Sequence, residues 1–464
     1  MKLTKTIQLI QPRHIYAPVP KINPLGHIYM PTSLISIASV LNEANISYEI
    51  IDENITSDYK LKNIVGINLL GAPYIPIVKE FEKRLQKKFN NNYTLFIGGQ
   101  VVNGLSNFDF EILFSKNTLN GNNYNVLFSF FDKVIPKRQE DKLSHIPVYK
   151  NINNDYLKKY LSKEISLYLS QGCKYSCTFC SADRTKKING IKYLKKEIYR
   201  DISQVSLDLK YLIIKAKEFN YNKLTIYLSN LDLFQTPLML EKFIIEVEKM
   251  ECLSNFKLDF RGLSTVASFL KLYKSNIQLL KRFQKIGLSR VGYGVDGITA
   301  EVYKKTKKPQ TSKMCLDAIK LTYKLGITPE TLMVFGHNNK EDRKSLQKAL
   351  EFCKIMFEKY NSYPRPHISK DIVPGNDGWY DKDNYNIIDK FHKNIWLFQN
   401  LDFTALPSIF THPDQSFREL VSKYFIEICN LPNSLTEYVK PYNISQSHYE
   451  RNEIQKFNEG RYDI

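Results

Sequence analysis

Three of the chain's seven cysteines, Cys173, Cys177 and Cys180, fall inside the stretch "QGCKYSCTFCSADR", at a C-x3-C-x2-C spacing. Thiolates this close together hold soft metals, and iron–sulfur clusters are bound by cysteine thiolates, normally four for a four-iron cluster. Three ligands leave one iron without a protein bond. An open coordination position marks a catalytic rather than a structural metal site. A structural zinc ion would want a fourth Cys or His. None lies in this loop, and His145 and His337 are distant in sequence. The other cysteines, Cys252, Cys315, Cys353 and Cys429, stand singly and read as small buried apolar residues.

The elements that must position this loop come in two series. From Lys163 onward there are apolar strand candidates at Ile165–Gln171, Lys223–Ser229, Lys257–Gly262, Gly287–Val295, Thr331–Gly336 and His367–Val373. Helical stretches such as Ser312–Leu325 separate them. Successive strand–helix units of this kind predict a partial barrel, with chemistry at the C-terminal ends of the strands. The cysteine loop directly follows the first of them.

An earlier series has strands at Lys5–Gln11, Ser47–Asp52, Lys62–Leu70 and Tyr93–Gly99. Its helices carry stripes of Leu34, Ile37, Ala38 and Leu41, then of Tyr74, Ile77, Val78, Phe81 and Leu85. This predicts a parallel, Rossmann-like sheet whose ligands sit beyond the strands' carboxyl ends. The domain looks shortened after Gly104, because "FDFEILFSKNTLNGNNYNVLFSFF" shows no clear last strand. The expected organisation is α/β: a Rossmann-like domain over 1–110, a linker over 111–162, a partial (β/α)6 barrel over 163–378 and a helical C-terminal region over 379–464. In that last region Ile387, Phe391, Ile395 and Phe398 share a predicted helix face, expected to pack on the barrel.

The net charge is +19, from 66 Lys and Arg against 47 Asp and Glu. The lysine runs "KKINGIKYLKK" and "KKTKKPQTSK" are short and dispersed, and read as solvated faces. No zinc-finger spacing or RNA-binding signature accompanies them, so nucleic acid is not the expected partner. No apolar run is long enough to span a membrane, and the N-terminal one is too short for a signal peptide. A cytoplasmic location is expected, where thiols stay reduced and clustered cysteines point to metal or catalysis.

The cysteine spacing, with Phe179 before the third cysteine, resembles the signature of the radical S-adenosylmethionine (SAM) superfamily. Three further segments agree. "RVGYGVDG" at Arg290–Gly297 resembles the family's "GvESG", with Asp296 for Glu; "LMVFGHNNKED" at Leu332–Asp342 resembles "fmiGlpgEt"; "DIVPGNDGW" at Asp371–Trp379 resembles "P-PGT". The resemblance implies a 4Fe-4S cluster on Cys173, Cys177 and Cys180, with the open iron chelating SAM. Reductive cleavage then yields a 5′-deoxyadenosyl radical, supplied with electrons by a donor such as flavodoxin or ferredoxin. It also implies that Phe179 lies against the adenine and that Asp296 contacts the ribose or methionine moiety. Gly336 would let backbone approach the adenosyl group. Taken alone, Gly336 is a turn glycine and Asp296 an Asx-turn residue. The family's acidic stretch after the second strand is replaced by "LSNLDLF", where Ser229, Asn230 or Asp232 stands in its place, and Arg261 can meet a carboxylate or form a rim salt bridge. No catalytic side chain is identified.

The Rossmann-like domain ahead of the barrel resembles the superfamily's cobalamin-binding branch, with Gly98 and Gly99 where the corrin's nucleotide tail is cradled. The Asp-x-His-x-x-Gly motif is absent; His14 lacks its flanking residues. The leading expectation is a cobalamin-dependent methyltransferase acting on an unactivated centre of a small molecule or peptide. The alternative is rearrangement, cyclisation, epimerisation or oxidation without cobalamin. The N-terminal domain has no cysteines for a second cluster, which disfavours methylthio transfer.

Overall fold

The computed structural model describes residues 5–13, 28–136, 140–181, 187–188, 191–192, 197–338, 341–403 and 405–431. It forms two compact units: Met1–Gly172 with Arg184–Asn230 and Leu238–Phe260, and Cys173–Asp183 with Leu231–Pro237 and Arg261–Ile464.

The first unit begins with β1 (Thr6–Gln11), β2 (Ser47–Asp52), β3 (Ile64–Asn68), β4 (Thr94–Gly98) and β5 (Thr118–Asn120), in the order β2-β1-β3-β4-β5. All pairings are parallel. β1 and β3 are buried almost end to end, as apolar runs covered on both faces should be. Helix Thr32–Glu43 buries Leu34, Ala38 and Leu41, and helix Ile75–Phe89 buries Val78, Phe81 and Leu85. This strand order reverses direction at β1 and β3, the position where such sheets open a ligand crevice.

β5 corrects the expectation of a shortened domain. It is too short to show an alternating pattern. Tertiary contacts hold it: Thr118 Oγ1 donates to Glu82 Oε1 at 2.6 Å and the Ser115 N–H donates to the same oxygen at 2.7 Å. Burial pushes the Glu82 carboxyl up, but these bonds outweigh it and hold the group below its ordinary range. The stretch read as a connection also carries helices at Asn107–Leu113, Tyr124–Phe130, Ile146–Asn151 and Asn154–Leu161.

The barrel strands start with β6 (Glu164–Leu167). Four two-residue strands follow: β7 (Ser170–Gln171), β8 (Lys187–Ile188), β9 (Ile191–Lys192) and β10 (Ile198–Tyr199). Then come β11 (Lys223–Leu228), β12 (Lys257–Ser264), β13 (Leu288–Gly294), β14 (Thr328–Phe335) and β15 (Tyr363–Ile368). The sheet order is β15-β14-β13-β12-β11-β6. The first expected strand breaks after Leu167; β7 pairs antiparallel with β10. The last lies upstream of its expected place. Pro364 and Pro366 hide it from pattern reading, and β15 tolerates them because it is an edge strand.

In the C-terminal region the helix over Tyr385–Lys393 stops at Asn394, so Ile395 and Phe398 belong to a separate 3-10 turn. Ile388, not Ile387, is buried. Trp379 packs within 6.1 Å of Phe391 and 5.8 Å of Phe398, ring to ring. Helix Gln415–Cys429 packs on β15 and on helix Arg343–Tyr360. Residues 432–464, and His14, lie outside the described residues.

Candidate cluster and cofactor sites

The cysteine loop opens at Gly172, whose φ of +98° suits glycine. Backbone bonds fix its course. The Thr178 N–H donates to Thr306 O at 3.1 Å, the Asp377 N–H to Thr178 O at 3.4 Å, and the Cys180 N–H to Cys177 O at 3.1 Å. Cys173, Cys177 and Cys180 are unbridged and half-buried. Among the described residues no group of three or more His, Cys, Asp or Glu is gathered as a metal site. Lys308 is a charged neighbour of all three thiols. Burial lowers its pKa, and the nearby Cys177, Cys180 and Cys173 thiols oppose that shift. In its chemistry the donor set fits a three-thiolate cluster: three unbridged thiols on one loop, with a lysine close by.

Lys308 comes from the run read as a solvated face; its side chain is 8% exposed, which corrects that reading at this position. It is held by Asp296, which is itself buried and has a φ of +43°. The other Asp296 oxygen accepts the Val334 N–H at 3.3 Å. Gln310 Nε2 ties the strand end by donating to Val295 O at 2.6 Å. Asp296 thus reaches the thiols' surroundings through Lys308. The signal that could have found Lys308 is a buried acid ending a strand: such a group needs a cation.

At the end of β14, Gly336 has a φ of +79°, and a Cβ there would lie 2.8 Å from Val421 Cγ1. The crowding comes from helix Gln415–Cys429. Gly336 O also accepts from His412 Nε2 at 2.6 Å. Glu341 accepts the N–H groups of Gly336 and His337, and burial pushes its carboxyl up. The fully buried His337 ring lies 5.2 Å from that of Phe179. Ser369 Oγ donates to Asp371 Oδ1 at 3.0 Å, so it accepts from His337 Nδ1 at 2.8 Å. Nε2 is buried and has no hydrogen-bond partner among the described residues. The sequence named His337 only as a histidine remote from the loop, and the fold brings it beside Phe179.

The residues after β11 divide. Ser229 Oγ donates to Leu167 O at 3.3 Å, and Asn230 accepts the Leu169 N–H at 3.0 Å and donates to Ser170 Oγ at 2.8 Å. Asp232 accepts from Ser264, Thr265 and Ser268 hydroxyls at 2.7–2.8 Å. Arg261 is buried and, with Arg365 and Arg290, lowers the pKa of Glu330 against the push of burial.

In the first unit, Gly99 has a φ of +110°, and a Cβ there would meet Leu69 O at 2.4 Å. Asn122, just after β5, clamps the turn. It accepts the Gly99 N–H at 3.0 Å and donates to Gly99 O at 2.8 Å. A Cβ on Gly98 would lie 3.1 Å from Asn122 Oδ1. The turn's shape is set by the chain itself.

Of the scattered cysteines, Cys315 and Cys353 are fully buried, whereas Cys252 and Cys429 are only half-buried, which corrects the uniform expectation. Burial pushes the Cys315 thiol up to about 11.

Residues 167–350 match the family model described as the radical SAM superfamily. Among solved structures, the chain is similar to the cobalamin-dependent S-adenosylmethionine radical enzyme OxsB with aqua-cobalamin and S-adenosylmethionine bound. That likeness has 14% identity and a TM-score of 0.58, over 88% of this chain and 58% of that one. It is also similar to the radical S-adenosylmethionine methyltransferase TsrM from Kitasatospora setae with cobalamin and a 4Fe-4S cluster bound. There the identity is 12% and the TM-score 0.57, over 81% of this chain and 77% of that one. At these identities the likeness shows the fold alone: a parallel Rossmann-like sheet followed by a second α/β sheet. The chain spans less than two thirds of OxsB. No curated protein matches the sequence.

Proposed function

The chain carries a radical SAM domain, and from that premise we propose that it is a cobalamin-dependent radical SAM methyltransferase acting on an unactivated centre. One observation carries the reading: three unbridged thiols lie on one strand-end loop of that domain, with the buried Lys308 as their neighbour. Cys173, Cys177 and Cys180 would hold a 4Fe-4S cluster, which would supply one-electron chemistry, and a bound cobalamin would supply methyl transfer. Lys308, fixed by Asp296, would meet the carboxylate of SAM. Phe179 offers an apolar ring to the adenine, and His337, oriented through Ser369 and Asp371, leaves Nε2 to hydrogen-bond beside it. Val421 and His412 exclude water from behind Gly336. The substrate is a small molecule or peptide, and the setting is the reducing cytoplasm. Among the described residues no helix is long and apolar enough to cross a membrane.

A second reading has its own observation. Gly98 and Gly99 are explained by Leu69 and Asn122 without any macrocycle. This favours a radical rearrangement, cyclisation, epimerisation or oxidation without cobalamin. The test is to incubate reconstituted holoprotein with SAM and reductant. S-adenosylhomocysteine formed beside 5′-deoxyadenosine supports methyl transfer; 5′-deoxyadenosine alone, with no cobalt retained, supports the second reading.

A further inference from the structure

We propose that the cleft beside the cysteine loop is the docking face for an acidic one-electron carrier protein, an inference that rests on the cluster reading and names its partner. The open cleft, of about 510 Å³, is lined by Tyr303, Lys304, Lys307, Lys308, Pro309 and Met314 with three other residues, none of them a carboxylate. The lysines near it differ in their pairing. Lys305 is matched by Glu301 at 2.8 Å and Lys313 by Asp317 at 3.2 Å. Lys304 and Lys307 are exposed and make no ion pair among the described residues. Two uncompensated cations therefore flank an apolar patch of Pro309 and Met314. A charged rim around a small apolar centre steers a complementary partner and releases it readily, which suits transient electron transfer.

Position singles this patch out in a chain rich in lysine throughout. Thr306, in the same segment, accepts the N–H of Thr178, which lies between Cys177 and Cys180. Lys308 lines the cleft and is held from behind by Asp296. The step moves one electron and no atom: an anionic flavin hydroquinone on the carrier becomes the neutral semiquinone, and the electron passes to the oxidised cluster.

The experiment uses the reconstituted holoprotein, an acidic flavodoxin as probe, and the paired substitution Lys304→Glu with Lys307→Glu. Both side chains are exposed, so folding is spared. Flavodoxin affinity should fall by roughly tenfold or more, and the wild-type affinity should weaken steeply with salt. Cluster reduction by flavodoxin should slow in step, with iron content and reduction by dithionite unchanged. Lys304→Gln with Lys307→Gln should give an intermediate loss. Unchanged flavodoxin affinity overturns the proposal. So does an equal loss with dithionite, which would put the lysines in the chemistry, or a loss confined to RNA binding, which would make the face a nucleic-acid site. If the wild-type protein holds no iron, the cluster reading fails by that measurement alone, while the affinity assay still reports on docking.

Discussion

The cysteine loop and the Gly98–Gly99 turn both sit at strand ends, yet they are held in opposite ways. At Gly99 the backbone is spoken for: Asn122 takes both its N–H and its carbonyl, and Leu69 O fills the space a side chain would need. At the cysteine loop the backbone is pinned by Thr306 and Asp377 while the thiols stay half-buried and unbridged. The first region is fixed in shape and presents no reactive side chain. The second is fixed in course and keeps its side chains available. A flat ligand that rests on a surface needs the first kind of loop, and a metal that must be ligated needs the second.

The contrast can be broken at its strongest point. Cys177→Ala should remove nearly all cluster iron and all SAM cleavage, since two thiolates do not hold a four-iron cluster as three do; iron and sulfide assays read this. Next, Lys308→Ala leaves Asp296 buried without its cation, which should cost about 3–5 kcal/mol. Urea unfolding can follow that loss in the second unit alone, because both tryptophans, Trp379 and Trp396, lie there.

Acid should act on the same unit. Burial pushes His367 and His412 down to about 4. Their folded pKa lies below the unfolded value of about 6.5, so the unfolded state takes up protons first as pH falls. The stability is present in full above about pH 6.5 and is lost down to about pH 4, at about 3 kcal/mol per histidine. Tryptophan fluorescence in urea at several pH values measures it. The smallest effect belongs to the turn. Gly99→Ala forces a side chain into a left-handed backbone against Leu69 O, at about 2 kcal/mol. Urea unfolding by circular dichroism would report it, and cobalt retention should fall with it.

Legibility followed the same divide. The cysteine spacing could be read because ligation needs particular side chains at particular intervals, and the buried strands because apolar runs announce them. β5 could not, since three residues carry no period and its place depends on Glu82, about thirty-five positions earlier. Lys308 was hidden in a lysine run because its burial comes from Asp296, a contact made only in the fold. The crowding at Gly336 was legible as a glycine requirement, but its source, Val421, lies on a helix far along the chain.

The measurement that bears most directly on the central claim is metal content after anaerobic purification. The protein is reconstituted with iron, sulfide and hydroxocobalamin, then desalted. The account predicts about four iron per chain with about one cobalt, and the iron lost in Cys177→Ala. Iron that is absent, or that is indifferent to Cys177→Ala, would contradict it.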